Sequence, residues 1–213
     1  ALYRESSDFY KNKKKDSIES AELLAVKASI RRGEATASCR YIGLPEKNVH
    51  YLNLPFYETG TVKKAPAGEK DIQITMDFLR WLKPHQIYAA GDLSDPHGTH
   101  RVCIDIIIEA LERMKHEDWM KDCRVWLYRG AWQEWDIEMV DMAVPLSPEE
   151  VVIKRNAIFR HQSQKDGAMF MGADKREFWQ RAEERNKNTA RLYDKLGMAE
   201  YEAIEVFVRY EIE

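Results

Sequence analysis

Apolar and polar positions along this chain follow two rhythms, one helical and one of strict alternation, and the places where they change mark out the elements. Glu19 to Tyr41 repeats at helical spacing, with Leu23, Leu24, Val26, Ile30, Ala37 and Tyr41 on the side expected to be buried. Gly43 then acts as a stop signal. Asn48 to Leu54 alternates as a strand does, and Pro55 ends it. Phe56 to Glu69 carries Gly60, Pro66 and Gly68 and reads as a loop able to border a site. Asp71 to Leu82 is a second amphipathic helix, closed by Lys83-Pro84. Gln86 to Ala90 is a short apolar run, expected as a buried central strand that breaks at Gly91-Asp92. A long apolar helix follows to about Lys115, with Asp95 expected as its N-cap and Pro96 at its first position.

The second half repeats the alternation of element types. Cys123 to Arg129 reads as a strand, and Gly130 to Trp135 as an aromatic loop beyond its carboxyl end. Met139 to Val144 is a further strand candidate, ended by Pro145. Ser147-Pro-Glu-Glu150 has the form of a helix start, with serine as N-cap, proline at the first position and glutamate at the third. That helix is expected to run to about Gln162, and Ser163 to Ala173 to be a loop. Arg176 to Leu196 is a long charged helix stopped by Gly197, and Ala203 to Tyr210 alternates as a last strand, expected at a sheet edge. Residues 1–16 are charged and without period. Strands interleaved with helices predict an α/β fold, a Rossmann-like three-layer sandwich with a mainly parallel sheet, in one domain. The chain opens on Ala1-Leu-Tyr-Arg-Glu with no strand, so the first strand of such a domain is expected upstream of it.

Charge and cysteine content narrow the partners. Of 213 residues, 33 are Lys or Arg and 36 are Asp or Glu, and the net charge of −3 gives no support for nucleic acid or an anionic membrane. The basic run Lys11-Asn-Lys-Lys-Lys15 reads as solvated surface. Cys39, Cys103 and Cys123 are odd in number, far apart and set in apolar patterns, as expected of buried free thiols in a reducing cytoplasm. No stretch has the length or apolarity of a membrane span.

The chemistry concentrates where the central strand hands over to its helix. His97 and His100 lie three residues apart, which would put both imidazoles on one helical face, beside Asp92 and Asp95. In α/β sheets the carboxyl ends of strands are where ligands bind. Imidazole with carboxylate suits zinc, and a hydrolytic zinc needs three protein ligands and an open position. Taken alone, the spacing of the pair favours a capping His97 and a solvent-facing His100, since such pairs are common; the two aspartates and Gly98 point the other way.

Four segments in order resemble the PIG-L/LmbE family of zinc-dependent N-deacetylases. Arg31-Arg-Gly-Glu-Ala35 with Arg40-Tyr-Ile-Gly43 resembles the family's R-x-x-E-A…LG helix, and Asn53-Leu54-Pro55 the segment after its next strand. Lys83-Pro84 leading to Asp95-Pro-His-Gly-Thr-His100 is similar to the P-D-H-x-x-H loop, and Arg160-His161-Gln-Ser-Gln164 to the H-x-S-Q helix end. Trp126 to Trp132 and Glu177 to Arg181 look like the subgroup fused behind a glucosamine-6-phosphate deaminase domain. The resemblance implies a zinc-dependent hydrolysis that frees acetate and an amine from an N-acetylglucosamine-like amino sugar. It implies His100 as a zinc ligand and His97 as the group that stabilises the oxyanion or protonates the leaving amine; Asp95 is then a candidate for orienting His97 or His100 by a hydrogen bond, besides the N-cap role already given. Arg31, Asp92 and His161 would line the substrate, although Arg31 equally suits an ion pair with Glu34, and His161 a packing role. Trp132 and Trp135 would stack on a sugar or pack in the core. The family's P-H-P-D-D loop, source of two zinc ligands and the general base, is not in this sequence; His116-Glu-Asp118 is a poor substitute. Either that loop lies upstream of Ala1, as the absent first strand suggests, or this chain does not hold zinc. The alternative is an accessory domain of a glucosamine-6-phosphate deaminase, in a homo-oligomer.

Overall fold

A computed structural model describes residues 2–12, 20–57, 66–91, 98–130, 133–164 and 176–212. Within these residues the chain forms six α-helices and four strands. The helices are α1 (Leu2–Asn12), α2 (Ala21–Tyr41), α3 (Glu69–Leu82), α4 (Thr99–Met114), α5 (Pro148–Ile158) and α6 (Phe178–Lys195). The strands are β1 (Gln86–Ala90), β2 (Arg124–Tyr128), β3 (Met142–Leu146) and β4 (Ala203–Tyr210), in the order β1-β2-β4-β3. β1 and β2 pair in parallel, and β4 runs antiparallel to both β2 and β3. Three strands therefore point one way and one points back, so the sheet is α/β in class and mixed in pairing.

Local signals account for most helix ends. Ser147 Oγ accepts the Glu150 N–H at 3.2 Å while Glu150 accepts the Ser147 N–H at 2.7 Å, the reciprocal cap its sequence predicts. Gly43 and Gly197 stand at φ of 93° and 84°, the left-handed turn that ends a helix most readily at glycine. The start of α3 is held differently. The buried Asp71 carboxylate accepts the N–H of Gly68 at 2.9 Å and that of Phe56 at 3.0 Å, which fastens the preceding segment to the helix.

Long-range packing corrects several expectations. Residues 2–12 are helical rather than irregular. Residues 48–54 form no strand: a short 3-10 turn covers Glu46–Asn48 and the rest is unpaired chain, because alternation without a hydrogen-bonding neighbour makes no ladder. β4 is interior, flanked by β2 and β3, and not an edge. β1 is an edge of the described sheet, with Ala89 buried but Tyr88 49% exposed. Pro145 sits inside β3, opposite Ile204, where an edge strand tolerates its missing N–H. On α2 only Leu23 is buried, while Val26, Ile30 and Tyr41 are exposed. Of the cysteines, all free, Cys123 is buried and Cys39 and Cys103 are half-buried. Burial pushes the Cys123 thiol up, against the nearby Arg124 charge.

Two apolar clusters hold the sheet. Met76 and Leu79 of α3, Ala110, Leu111 and Met114 of α4, and Val125 of β2 make the larger one. Ala190 of α6 with Ile204 and Val206 of β4 makes the second, bordered by Trp135, Val140 and Tyr193. None of the helices is long and apolar enough to cross a membrane, among the described residues.

Candidate functional site

β1 and β2 end together, with Ala90 opposite Tyr128, and the Gly91 N–H continues the ladder by donating to the Tyr128 carbonyl at 2.8 Å. The backbone at Gly91 is closely packed. A Cβ there would lie 2.9 Å from Leu127 Cβ and 3.1 Å from Trp135 Cζ2. The Trp135 indole is fixed by its own N–H, which donates to the Leu127 carbonyl at 3.1 Å, and by the Arg129 guanidinium 3.9 Å above its ring. Trp135 is thus a packing residue against the end of β1, one of the two uses expected of it.

Asp92, Asp95 and His97 lie outside the described residues, as does Trp132. α4 begins at Thr99 with Gly98 as its N-cap at φ 68°, later than the start expected at Pro96. The expectation that the His97 and His100 imidazoles share one helical face lies in part outside the described residues. His100 occupies the first turn of α4 and is exposed, near the carboxyl end of β1 in the chain.

The other expected residues meet elsewhere. Ser163, just past α5, donates from its N–H and its Oγ to the two oxygens of Glu34 on α2, each at 2.7 Å. His161 and Arg31 stand close enough to act on the same carboxylate. Burial would raise Glu34, but the two Ser163 bonds and these charges hold it below the ordinary carboxylate range. Arg31 Nη1 also reaches the Tyr57 hydroxyl at 3.5 Å, and Ser38 Oγ donates to the Ala157 carbonyl at 3.0 Å. Arg160 stacks on the Tyr41 ring at 4.5 Å. The segments Arg31–Ala35 and Arg160–Gln164 are therefore one polar cluster, in which Arg31 is exposed and His161 half-buried.

Of the expected pair of histidines, His100 alone falls within the described residues. Among the described residues no group of three or more His, Cys, Asp or Glu side chains is placed to hold a metal ion, so these residues alone fall short of the donor set of a hydrolytic zinc.

A four-charge network went unseen in the sequence. Arg185 of α6 donates to Glu134 and, at 2.6 Å, to Glu205 of β4, and Lys154 of α5 pairs with the same Glu205 and with Asn186 at 2.7 Å. Its members come from positions 134, 154, 185 and 205, and no local spacing links them.

No protein-family model matches the chain. It is 54% identical over 210 residues to a glucosamine-6-phosphate deaminase-like protein of Bacteroides thetaiotaomicron, covering 98% of this chain and 32% of that one. The chain thus spans about a third of the length of that relative. Among solved structures it is similar to the conserved protein TT1542 of Thermus thermophilus, at 18% identity and a TM-score of 0.53, covering 87% of this chain and 74% of that one. It is also similar to GalB, the 4-carboxy-2-hydroxymuconate hydratase of Pseudomonas putida, at 15% identity and a TM-score of 0.56, covering 87% of this chain and 72% of that one. At these identities the likeness to the solved structures shows a shared α/β fold.

Proposed function

We propose that this chain carries part of a zinc-dependent hydrolase that removes the N-acetyl group from an N-acetylglucosamine-like amino sugar. One observation carries the reading: the segments Arg31–Ala35 and Arg160–Gln164, each resembling a motif of N-deacetylases, meet through the Glu34–Ser163 pair although 129 positions separate those two residues. The placement of His100 at the start of the helix after β1 fits the same reading. The name of the Bacteroides relative supports amino-sugar chemistry.

In this reading His100 is one zinc ligand, and the remaining donors come from chain upstream of Ala1. Zinc, when bound, supplies an activated water. His97 holds the proton that the leaving amine takes, and Asp95 orients it. Arg31, Asp92 and His161 hold sugar hydroxyls, with Glu34 fixing the first and last of these by charge. An accessory role beside a deaminase is the second reading, favoured by the name of the relative and by its length, about a third of which the chain matches.

The discriminating assay measures acetate release from N-acetylglucosamine and its 6-phosphate by the protein together with the chain that precedes Ala1. The first reading predicts turnover that falls to background in His100→Ala, and a raised KM in Arg31→Ala. No acetate from the wild type, or full turnover in His100→Ala, would leave the accessory role standing.

A further inference from the structure

One carboxylate ties α6 to the end of the sheet. Glu134 Oε1 accepts the Trp135 N–H at 3.0 Å, and its other oxygen accepts from Arg185 of α6, with Thr189 Oγ 3.3 Å away. Arg185 is itself fixed, for its side chain is buried and donates to Glu205 of β4 at 2.6 Å. Charge-assisted bonds of this kind are the strong ones, and they set direction as well as distance. Packing does not hold this corner on every side. Glu134 and Trp135 also line an open cavity of about 360 Å3 between α6 and residues 133–140. A side chain beside empty space is held by what it touches and bonds on its remaining sides.

The indole carries that position to β1. Its N–H is bound to the Leu127 carbonyl, and its Cζ2 fills the space where Gly91 would have a Cβ. Gly91 donates to the Tyr128 carbonyl at 2.8 Å, and Asp92 is the next residue of the chain. We propose that Trp135, pinned through Glu134 to α6, is a positioning residue for the substrate: it fixes the backbone to which Asp92 is joined. The inference rests on the hydrolase reading for the part Asp92 plays, which is to hold sugar hydroxyls. Trp135 acts through Asp92 and not on the reacting atoms, so its loss weakens substrate binding and spares the chemical step.

Amide exchange and kinetics of the protein together with the chain that precedes Ala1 test this. In Glu134→Ala, exchange of the Gly91 N–H should quicken about tenfold while that of Val125, inside β2, stays as it was. Trp135→Leu should raise KM for N-acetylglucosamine about fivefold, with kcat and zinc content as in the wild type. If Trp135→Leu does not fold, Trp135→Phe, which keeps a ring and loses the indole N–H, carries the decision with a KM raised about threefold. A part in folding alone would lower the amount of active protein, and with it the apparent kcat, and leave KM where it was. Unchanged Gly91 exchange in Glu134→Ala, or a wild-type KM in the Trp135 variants, overturns the positioning role while the hydrolase reading stands. No acetate from the wild type overturns that reading, and the positioning role falls with it.

Discussion

At Gly91 the space for a side chain is already filled by Leu127 and Trp135. The neighbour at 2.9 Å is a Cβ, which moves only with its backbone, so a methyl group must displace β2 or the indole. Gly91→Ala should lower unfolding free energy by about 1–3 kcal/mol in a denaturant titration; an unchanged midpoint would contradict this packing. Glu205 poses the electrostatic case. Burial pushes its carboxyl up, but Arg185 and Lys154 outweigh it and hold the group below the ordinary range. A carboxyl lowered in the folded state adds stability that is complete above its unfolded value and is lost as pH falls through its folded one. Glu134 runs the other way: burial raises it past what Arg185 can offset, so its part is complete at low pH and fades as pH rises. Glu205→Gln should therefore cost roughly 3–5 kcal/mol at neutral pH, as expected for breaking a buried pair, and flatten the acid limb of the stability profile. Melting curves from pH 3 to pH 7, parallel in wild type and variant, would contradict it. The sequence shows each of these charges and not their meeting, because 51 positions separate Lys154 from Glu205 and another 51 separate Glu134 from Arg185.

Helix boundaries were the most legible elements, since caps are built from residues a turn apart. The Ser147–Glu150 box is the best instance, and Ser147→Ala should cost about 1 kcal/mol by calorimetry. No change in melting temperature would show the box to be idle. Strand placement was much less legible. The alternation over Ala203–Tyr210 says that two faces differ, and it is silent on β2 and β3 occupying both edges. The same alternation over 48–54 produces no strand, because the described residues give that segment no neighbour to pair with. On α2 the apolar stripe was visible, yet Val26 and Ile30 remain exposed, since a period names a face and not what covers it. Besides the buried Leu23, α2 is tied to the rest by polar contacts, Glu34 to Ser163 and Ser38 to the end of α5. Glu34→Gln should lessen both Ser163 bonds and raise hydrogen exchange over 158–164 severalfold; unchanged protection would argue that α5 is held by apolar contact alone.

Across the molecule, the α/β class was readable from the order of element types, and the mixed pairing was not, because β4 returns from α6 in a direction no periodicity encodes. The candidate site was legible only in pieces. Arg31 and His161 do share a cluster, organised by Glu34, whereas His100 stands on a helix whose start, at Gly98, differs from the one its sequence suggests. Zinc content of the protein purified with the chain preceding Ala1, in wild-type and His100→Ala forms, tests the proposed hydrolase most directly. The proposal predicts one zinc per chain in the wild type and a fall to a small fraction of that in His100→Ala, with the fold retained by circular dichroism. Equal zinc in both forms, or none in the wild type, would contradict it.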